Sequence, residues 1–245
     1  MGDRFFADLT NAAVGQKVTL DAGESHHLVR VMRARPETET RLFGRGREFM
    51  AVLREAAPSG AVLELTNELE PPPPPSVRFT SAIPFLKGGN TDFLVEKLCE
   101  LGVAQIVVFR SRREVAHGGE ARLMKLKRVA LEACKQCGRA DVPPVIGADS
   151  AAEALRSGDA AADRNLVLFE GDAPSTLSQA IRCAGNEISG FPWTLLSGPE
   201  GGFDSDEIAL LRDSATLVTL GPRILRAETA PLAAASALLA LAGDF

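Results

Sequence analysis

Over its first 70 residues the chain alternates apolar and polar positions in short runs. These are Gln16-Lys17-Val18-Thr19-Leu20, Arg41-Leu42-Phe43, Phe49-Met50-Ala51-Val52-Leu53 and Ala61-Val62-Leu63-Glu64-Leu65. A period of two, interrupted by Gly and Pro, predicts short strands that close into a small β-barrel or sandwich. Pro71 to Pro75 then fixes an extended polyproline segment, which can enter neither a helix nor a central strand and reads as a linker. Beyond it, apolar runs (Phe79 to Pro84, Ala104 to Phe109, Leu166 to Phe169, Thr194 to Leu196, Thr216 to Leu220) alternate with helical periods. The predicted helices are Asp92 to Leu101, Gly119 to Cys137, Leu177 to Cys183, Asp204 to Leu211 and Thr229 to Leu241. Such alternation implies a parallel sheet covered by helices, hence an α/β fold class. The expected division is 1–70 as a β domain, 71–75 as linker and 76–245 as the α/β domain. Ligands of parallel sheets sit at the carboxyl ends of the strands, which directs attention to the loops after Leu196 and Leu220.

Composition narrows the class without naming it. An apolar share of 45% in 245 residues supports one large or two small cores and excludes a disordered chain. No apolar run reaches membrane-spanning length, and MGDRFFADLT has no export signal, so a cytoplasmic protein is expected. Cys99, Cys134, Cys137 and Cys183 lack the spacing and partners of a zinc site or disulfide framework; reduced thiols and no metal are expected. Cys134 and Cys137 have redox-motif spacing but lie inside a predicted helix, away from its thiolate-stabilising end. The net charge of −5 conceals a division: −2 over residues 1–75, +6 over 76–139 and −9 over 140–245. A basic middle beside an acidic C-terminal part suggests a face for a polyanion. A single Trp and the absence of Tyr leave few base-stacking platforms.

Two loops carry candidate chemistry. In the first, Ser197-Gly198-Pro199-Glu200-Gly201-Gly202-Phe203 follows a strand and precedes a helix capped by Asp204 or Ser205. Its glycines allow close backbone approach to a ligand, yet Glu200 and the acids after it would repel a polyphosphate, so a neutral or cationic cofactor fits better. An ordinary tight turn is the alternative. The second loop, Gly221-Pro222-Arg223-Ile224-Leu225-Arg226-Ala227-Glu228-Thr229, sets charged side chains between apolar elements. Read as plain structure, Thr229 caps the last helix, Pro231 lies in its first turn and Arg226 is a salt-bridge partner.

Together, SGPEGGF and LGPRILRAETAPLAAASAL resemble the ribosomal RNA small-subunit methyltransferase E family. The opening RFF, His26-His27-Leu28-Val29-Arg30-Val31-Met32-Arg33, Lys87 followed by Glu96 to Val103, and Glu132 to Arg139 are similar to further landmarks of that family. The resemblance implies methylation of uridine N3 in 16S rRNA (uridine 1498 in the standard numbering) with S-adenosylmethionine as cofactor. It also implies a PUA-like β-barrel, a SPOUT α/β domain with a deep trefoil knot, and a homodimer to which the last helix contributes. Cofactor binding would fall on Leu196, Ser197, Gly198, Glu200, Gly201, Gly202, Thr219, Leu220, Gly221, Ile224 and Leu225. Arg226 would stabilise charge developing on the uracil, and Glu228, or a water that it orients, would accept the N3 proton. RNA would meet Arg30, Arg33, Arg35, Arg45, Lys87, Arg112, Arg113 and Arg139, with Arg41, Arg47 and Arg110 beside them. His26 and His27 read as barrel packing or turn residues. A knotted methyltransferase for another RNA site or a ribose 2′-oxygen, and a non-catalytic ribosome-assembly factor, remain as alternatives.

Overall fold

The structure is a computed structural model that describes residues 3–113, 119–158, 164–183, 185 and 188–245. The chain forms two units: Met1–Pro73 with Leu131–Val142, and Pro74–Ala130 with Pro143–Phe245.

The first unit holds a five-stranded sheet. Its strands are β1 (Arg4–Phe6), β2 (Lys17–Thr19), β3 (Glu39–Gly44), β4 (Arg47–Glu55) and β5 (Val62–Leu69), in the order β1-β3-β4-β5-β2. Only β1 and β3 are parallel. Register shifts at Met50/Ala51 and Leu53/Glu55 bend β4 on β5, which curls the sheet around Phe5, Leu42, Phe49, Leu53 and Leu63. The β3–β4 hairpin turns on Arg45 and Gly46, both at positive φ (57° and 77°), the backbone that a two-residue hairpin requires. Between β2 and β3 a short helix, α1 (Ala22–His26), begins at Asp21, whose side chain accepts from the Glu24 N–H, and runs into a π-helical turn over His27–Val31. No period in the sequence predicted either one; His26 and His27 are exposed here rather than packed in a barrel, although the His27 ring meets Phe5 edge-on.

The second unit is a seven-stranded, wholly parallel sheet. Its strands are β6 (Phe79–Pro84), β7 (Gln105–Phe109), β8 (Val145–Ala148), β9 (Asn165–Leu168), β10 (Ser175–Thr176), β11 (Trp193–Ser197) and β12 (Thr216–Thr219), in the order β10-β12-β9-β11-β6-β7-β8. Strands β6, β9 and β11 are buried along their whole length, as expected where helices cover both faces. Helices α2 (Asn90–Glu100), α5 (Leu177–Cys183) and α7 (Ala230–Ala242) pack together, with α7 against β6 and β11. Helices α4 (Ala151–Arg156) and α6 (Ser205–Arg212) also pack on each other, sharing a core with Ala82, Val107, Phe109, Val167, Leu196 and Leu217. Strand order steps from β6 out to β8 and then returns across β11 to β9 and β12, and at such reversals the strand ends open a crevice.

Helix α3 (Glu120–Cys137) buries Leu126, Ala130, Ala133 and Cys134. Cys137, by contrast, is only half-buried. Strands β8 and β10 and helix α4 are additions to the sequence reading. The α4 start was legible as Ser150-Ala151-Ala152-Glu153, since the Ser150 hydroxyl accepts from the Glu153 N–H at 3.1 Å. Among the described residues no helix is long and apolar enough to cross a membrane.

Candidate active site

The carboxyl ends of β9, β11 and β12 open on one cavity of about 510 Å³. Its walls are Leu168 to Glu170 after β9, Ser197 to Glu200 after β11 and Thr219 to Glu228 after β12, closed by Asn90 and Ala230 at the starts of α2 and α7. The two loops singled out in the sequence therefore share one space, although helix α6 and strand β12 separate them in the chain. Of the predicted cofactor residues, Ser197, Gly198, Glu200, Thr219, Leu220, Gly221, Ile224 and Leu225 line it; Leu196, Gly201 and Gly202 do not. Leu196 is instead part of the core, and the other two continue the loop toward α6.

The loop's form follows from what surrounds its glycines. A Cβ on Gly198 would stand 2.9 Å from the ring of Phe203, which is itself 7% exposed and anchored in the core. Gly202 adopts φ +68°, donates its N–H to the Pro199 carbonyl at 2.9 Å and carries the Glu170 carboxylate over its Cα. We expect Gly198→Ala to lower stability by about 1–3 kcal/mol through overpacking, read as a shift of the urea midpoint. Adding Phe203→Leu should recover part of the loss; an unshifted midpoint in Gly198→Ala would contradict this account of the loop.

Polar groups in the wall are unevenly satisfied. Ser197 is 1% exposed and its Oγ has no hydrogen-bond partner among the described residues, a cost that a bound polar group would remove. Glu200 Oε1 accepts from the Lys87 N–H at 3.1 Å. Arg226 lies 3.7 Å from Glu228; the arginine side chain is 86% exposed and the glutamate 20%. Among the described residues the wall thus carries Glu170, Glu200 and Glu228 against Arg223 and Arg226, with no lysine. Thr229 stands at the N-cap of α7 with no capping bond from its side chain, so the expected hydroxyl cap is absent. The helix start is held instead by the Thr229 and Ala230 N–H groups on the Arg226 carbonyl, with Pro231 in the first turn.

Below the glycine loop, α6 opens with a reciprocal cap between Asp204 and Glu207. The Glu207 N–H holds the Asp204 carboxyl below its ordinary range, with burial opposing and Arg112 assisting. Arg112 in turn sits on Asp206 at 2.9 Å and Asp204 at 3.3 Å, which raise its affinity for the proton.

The predicted RNA contacts fall into distinct settings. Arg30, Arg33 and Arg35 are exposed on and after the π turn and make no ion pair among the described residues. Arg45 projects from the hairpin tip with Asp8 at 3.7 Å, and Lys87 is exposed. Arg139 is turned inward, its side chain 13% exposed and bound to Asp141, and Arg47 is committed to Glu68, so neither presents a free cationic tip. Arg41 approaches Glu48 at 3.7 Å. Cys137 has its thiol pushed up by its contact with Cys134 and by burial, which makes it a poor nucleophile. Among the described residues no group of His, Cys, Asp and Glu is arranged to hold a metal.

Sequence reasoning missed Asn90 and the stretch Leu168 to Glu170. The strand-end rule covers β9 as well as β11 and β12, and was the available signal.

Residues 73–239 match the RNA methyltransferase domain family. The Ribosomal RNA small subunit methyltransferase E of Bacillus subtilis is 30% identical over 249 residues, covering 96% of this chain and 95% of that one. A crystal structure of the same enzyme from Neisseria gonorrhoeae bound to S-adenosyl methionine superposes with a TM-score of 0.82 at 31% identity, covering 98% of each chain. A methyltransferase of Legionella pneumophila in complex with the bound cofactor SAM gives 0.83 at 25% identity, again over 98% of each.

Proposed function

We infer the function from membership: the chain belongs to the ribosomal RNA small subunit methyltransferase E family and is a SAM-dependent rRNA methyltransferase. We further propose that it methylates N3 of a uridine in the small-subunit RNA, uses the β9-β11-β12 cavity for the cofactor and works as a homodimer in the cytoplasm. One observation carries the assignment of the site: the glycine loop and the Arg226–Glu228 loop line a single cavity at the strand ends.

The cavity fits the cofactor on its own chemistry. S-adenosylmethionine supplies a methyl group on a sulfonium, a cation, and the lysine-free wall with three carboxylates accommodates positive charge better than a phosphate chain. Ser197 Oγ, buried and without a hydrogen-bond partner among the described residues, offers a hydrogen bond. Leu168, Leu220 and Leu225 supply apolar wall for a ring.

Uridine N3 is a poor nucleophile while protonated, so the protein has to accept that proton and stabilise the anion left behind. Arg226 is suited to the second task, being permanently charged, at the cavity wall and extended into solvent where RNA arrives. Glu228, largely covered and beside it, is suited to accept the proton directly or through a water. In the first unit the curled sheet is the proposed PUA-like RNA domain, with Arg30, Arg33, Arg35 and Arg45 facing phosphates. In the second, the proposed knot would be formed by the two cavity loops, and the half-buried Leu232, Ala233, Ser236 and Ala237 of α7 would meet a second copy.

The test is which particle accepts methyl. Unmodified small subunits incubated with labelled S-adenosylmethionine are expected to take up label, and large subunits are not. Equal labelling of both would refute the assignment to small-subunit RNA.

A further inference from the structure

The loop that follows β7 carries Arg110, Ser111, Arg112 and Arg113, and one buried carboxylate fastens it to the start of α6. Glu207 is 8% exposed. Its Oε1 accepts from the Ser111 hydroxyl at 3.0 Å and from the Arg112 N–H at 3.2 Å, while Oε2 accepts from the Asp204 N–H at 3.1 Å. A capping box needs only the last of these contacts together with the return bond from Asp204. The other two do something a cap does not: they hold a second loop. That loop also reaches the glycine loop directly, since Arg113 Nη1 donates to the Gly201 carbonyl at 3.3 Å. A Cβ on Gly201 would come within 3.3 Å of the Arg113 Cβ, so the close approach depends on glycine there. The arginine-bearing loop is therefore tied at two points, Gly201 and Glu207, to the segment that directly follows the cavity-wall residue Glu200, and only one of these ties is a buried charge.

We propose that Glu207 is a positioning residue for the RNA substrate: it fixes the Arg110–Arg113 loop against the glycine loop, so that phosphates bound by these arginines are held in register with the cavity. This deepens the reading of the chain as an rRNA methyltransferase and rests on it. Arg112 is paired with acids of α6, Arg110 approaches Asp149 at 4.0 Å and Arg113 lends one nitrogen to the Gly201 carbonyl, yet all three side chains stay exposed at the edge of the loop, where phosphate can reach them.

Glu207→Gln tests it, because the amide nitrogen would have to face an N–H or hydroxyl donor and one attachment fails. In this variant the KM for unmodified small subunits should rise by about 10-fold or more, as small misplacements of a substrate do. The slope of RNA affinity against salt should fall by about one for each phosphate that the arginines no longer neutralise. Affinity for S-adenosylmethionine should stay within about 2-fold, because ground-state cofactor contacts are untouched. Ser111→Ala, which cuts only the loop side and leaves the cap whole, should move RNA affinity and salt slope the same way with an unchanged unfolding midpoint, and it decides the matter if Glu207→Gln fails to fold. RNA affinity equal to wild type in both variants would overturn the proposal. So would a Ser111→Ala protein whose cofactor affinity and unfolding midpoint fall in step with RNA affinity, which marks a structural role. RNA affinity is read by filter retention, so a wild-type protein that binds RNA but transfers no methyl would sink the methyltransferase reading separately.

Discussion

Arg226→Ala is expected to lower methyl transfer by about 10²–10³-fold, the usual cost of removing one group that stabilises charge developing in a transition state. The side chain is 86% exposed and touches Glu228 only at 3.7 Å, so its loss opens no hole in the core and should leave the unfolding midpoint unchanged. Cofactor affinity should remain within about 3-fold, because an interaction made only in the transition state lowers turnover rather than binding. Arg226→Lys keeps the charge without the planar fork and should recover only part of the rate. Turnover within about 3-fold of wild type in Arg226→Ala would remove this residue from the chemistry, since an exposed salt bridge contributes little by itself.

The second large effect concerns stability. Arg4→Met should destabilise the first unit by about 3–5 kcal/mol, the cost of leaving a buried charge without its partner. The Arg4 guanidinium meets both oxygens of Glu48, at 3.1 and 2.9 Å, and the two side chains are 3% and 5% exposed. It also donates to the carbonyls of Cys134 at 2.7 Å and of Gly138 and Arg139 at 3.0 Å each, and lies 4.3 Å from the centre of the Phe43 ring. Without it, Glu48 would keep only Arg41 at 3.7 Å among the described residues, and the Gly138 and Arg139 carbonyls would each lose a donor. The double variant Arg4→Met with Glu48→Leu should regain much of the loss, because replacing a whole buried pair by apolar groups is often neutral. Urea unfolding followed on the first unit checks this; a single-variant loss below about 1 kcal/mol would show that the pair behaves like an exposed one.

These two residues also mark where the sequence could and could not be read. Both loops of the cavity stood out because polar residues and glycines interrupt apolar strands, and a strand-end rule says where such loops converge. That Arg226 would be exposed rather than enclosed was not legible, since its surroundings are set by how the loop leaves β12. RFF at the start and CKQCGR at the end of α3 each drew attention in the sequence, yet nothing local could show that Arg4 binds the carbonyls of the latter, about 130 residues away. Long, strongly periodic elements such as α3 and β6 were found nearly whole. The short ones, β8, β10 and the π turn, have too few residues for any period to show. Cys134 and Cys137 stand three positions apart, on the same side of a helix, so the apolar pattern of α3 alone does not say which of them is buried. Glu207 was visible as a helix-start acid, but its hold on Ser111, 96 positions earlier, belongs to the fold alone.

The measurement that tests the account most directly is where the methyl goes. Purified protein, unmodified small ribosomal subunits and labelled S-adenosylmethionine are incubated, the RNA is digested to nucleosides, and the labelled nucleoside is identified by mass and fragmentation. The wild-type protein should yield 3-methyluridine, and Arg226→Ala about 10²–10³-fold less of it in the same time. Label on a ribose 2′-oxygen or on another base, or no transfer by a protein that binds the cofactor, would contradict the account.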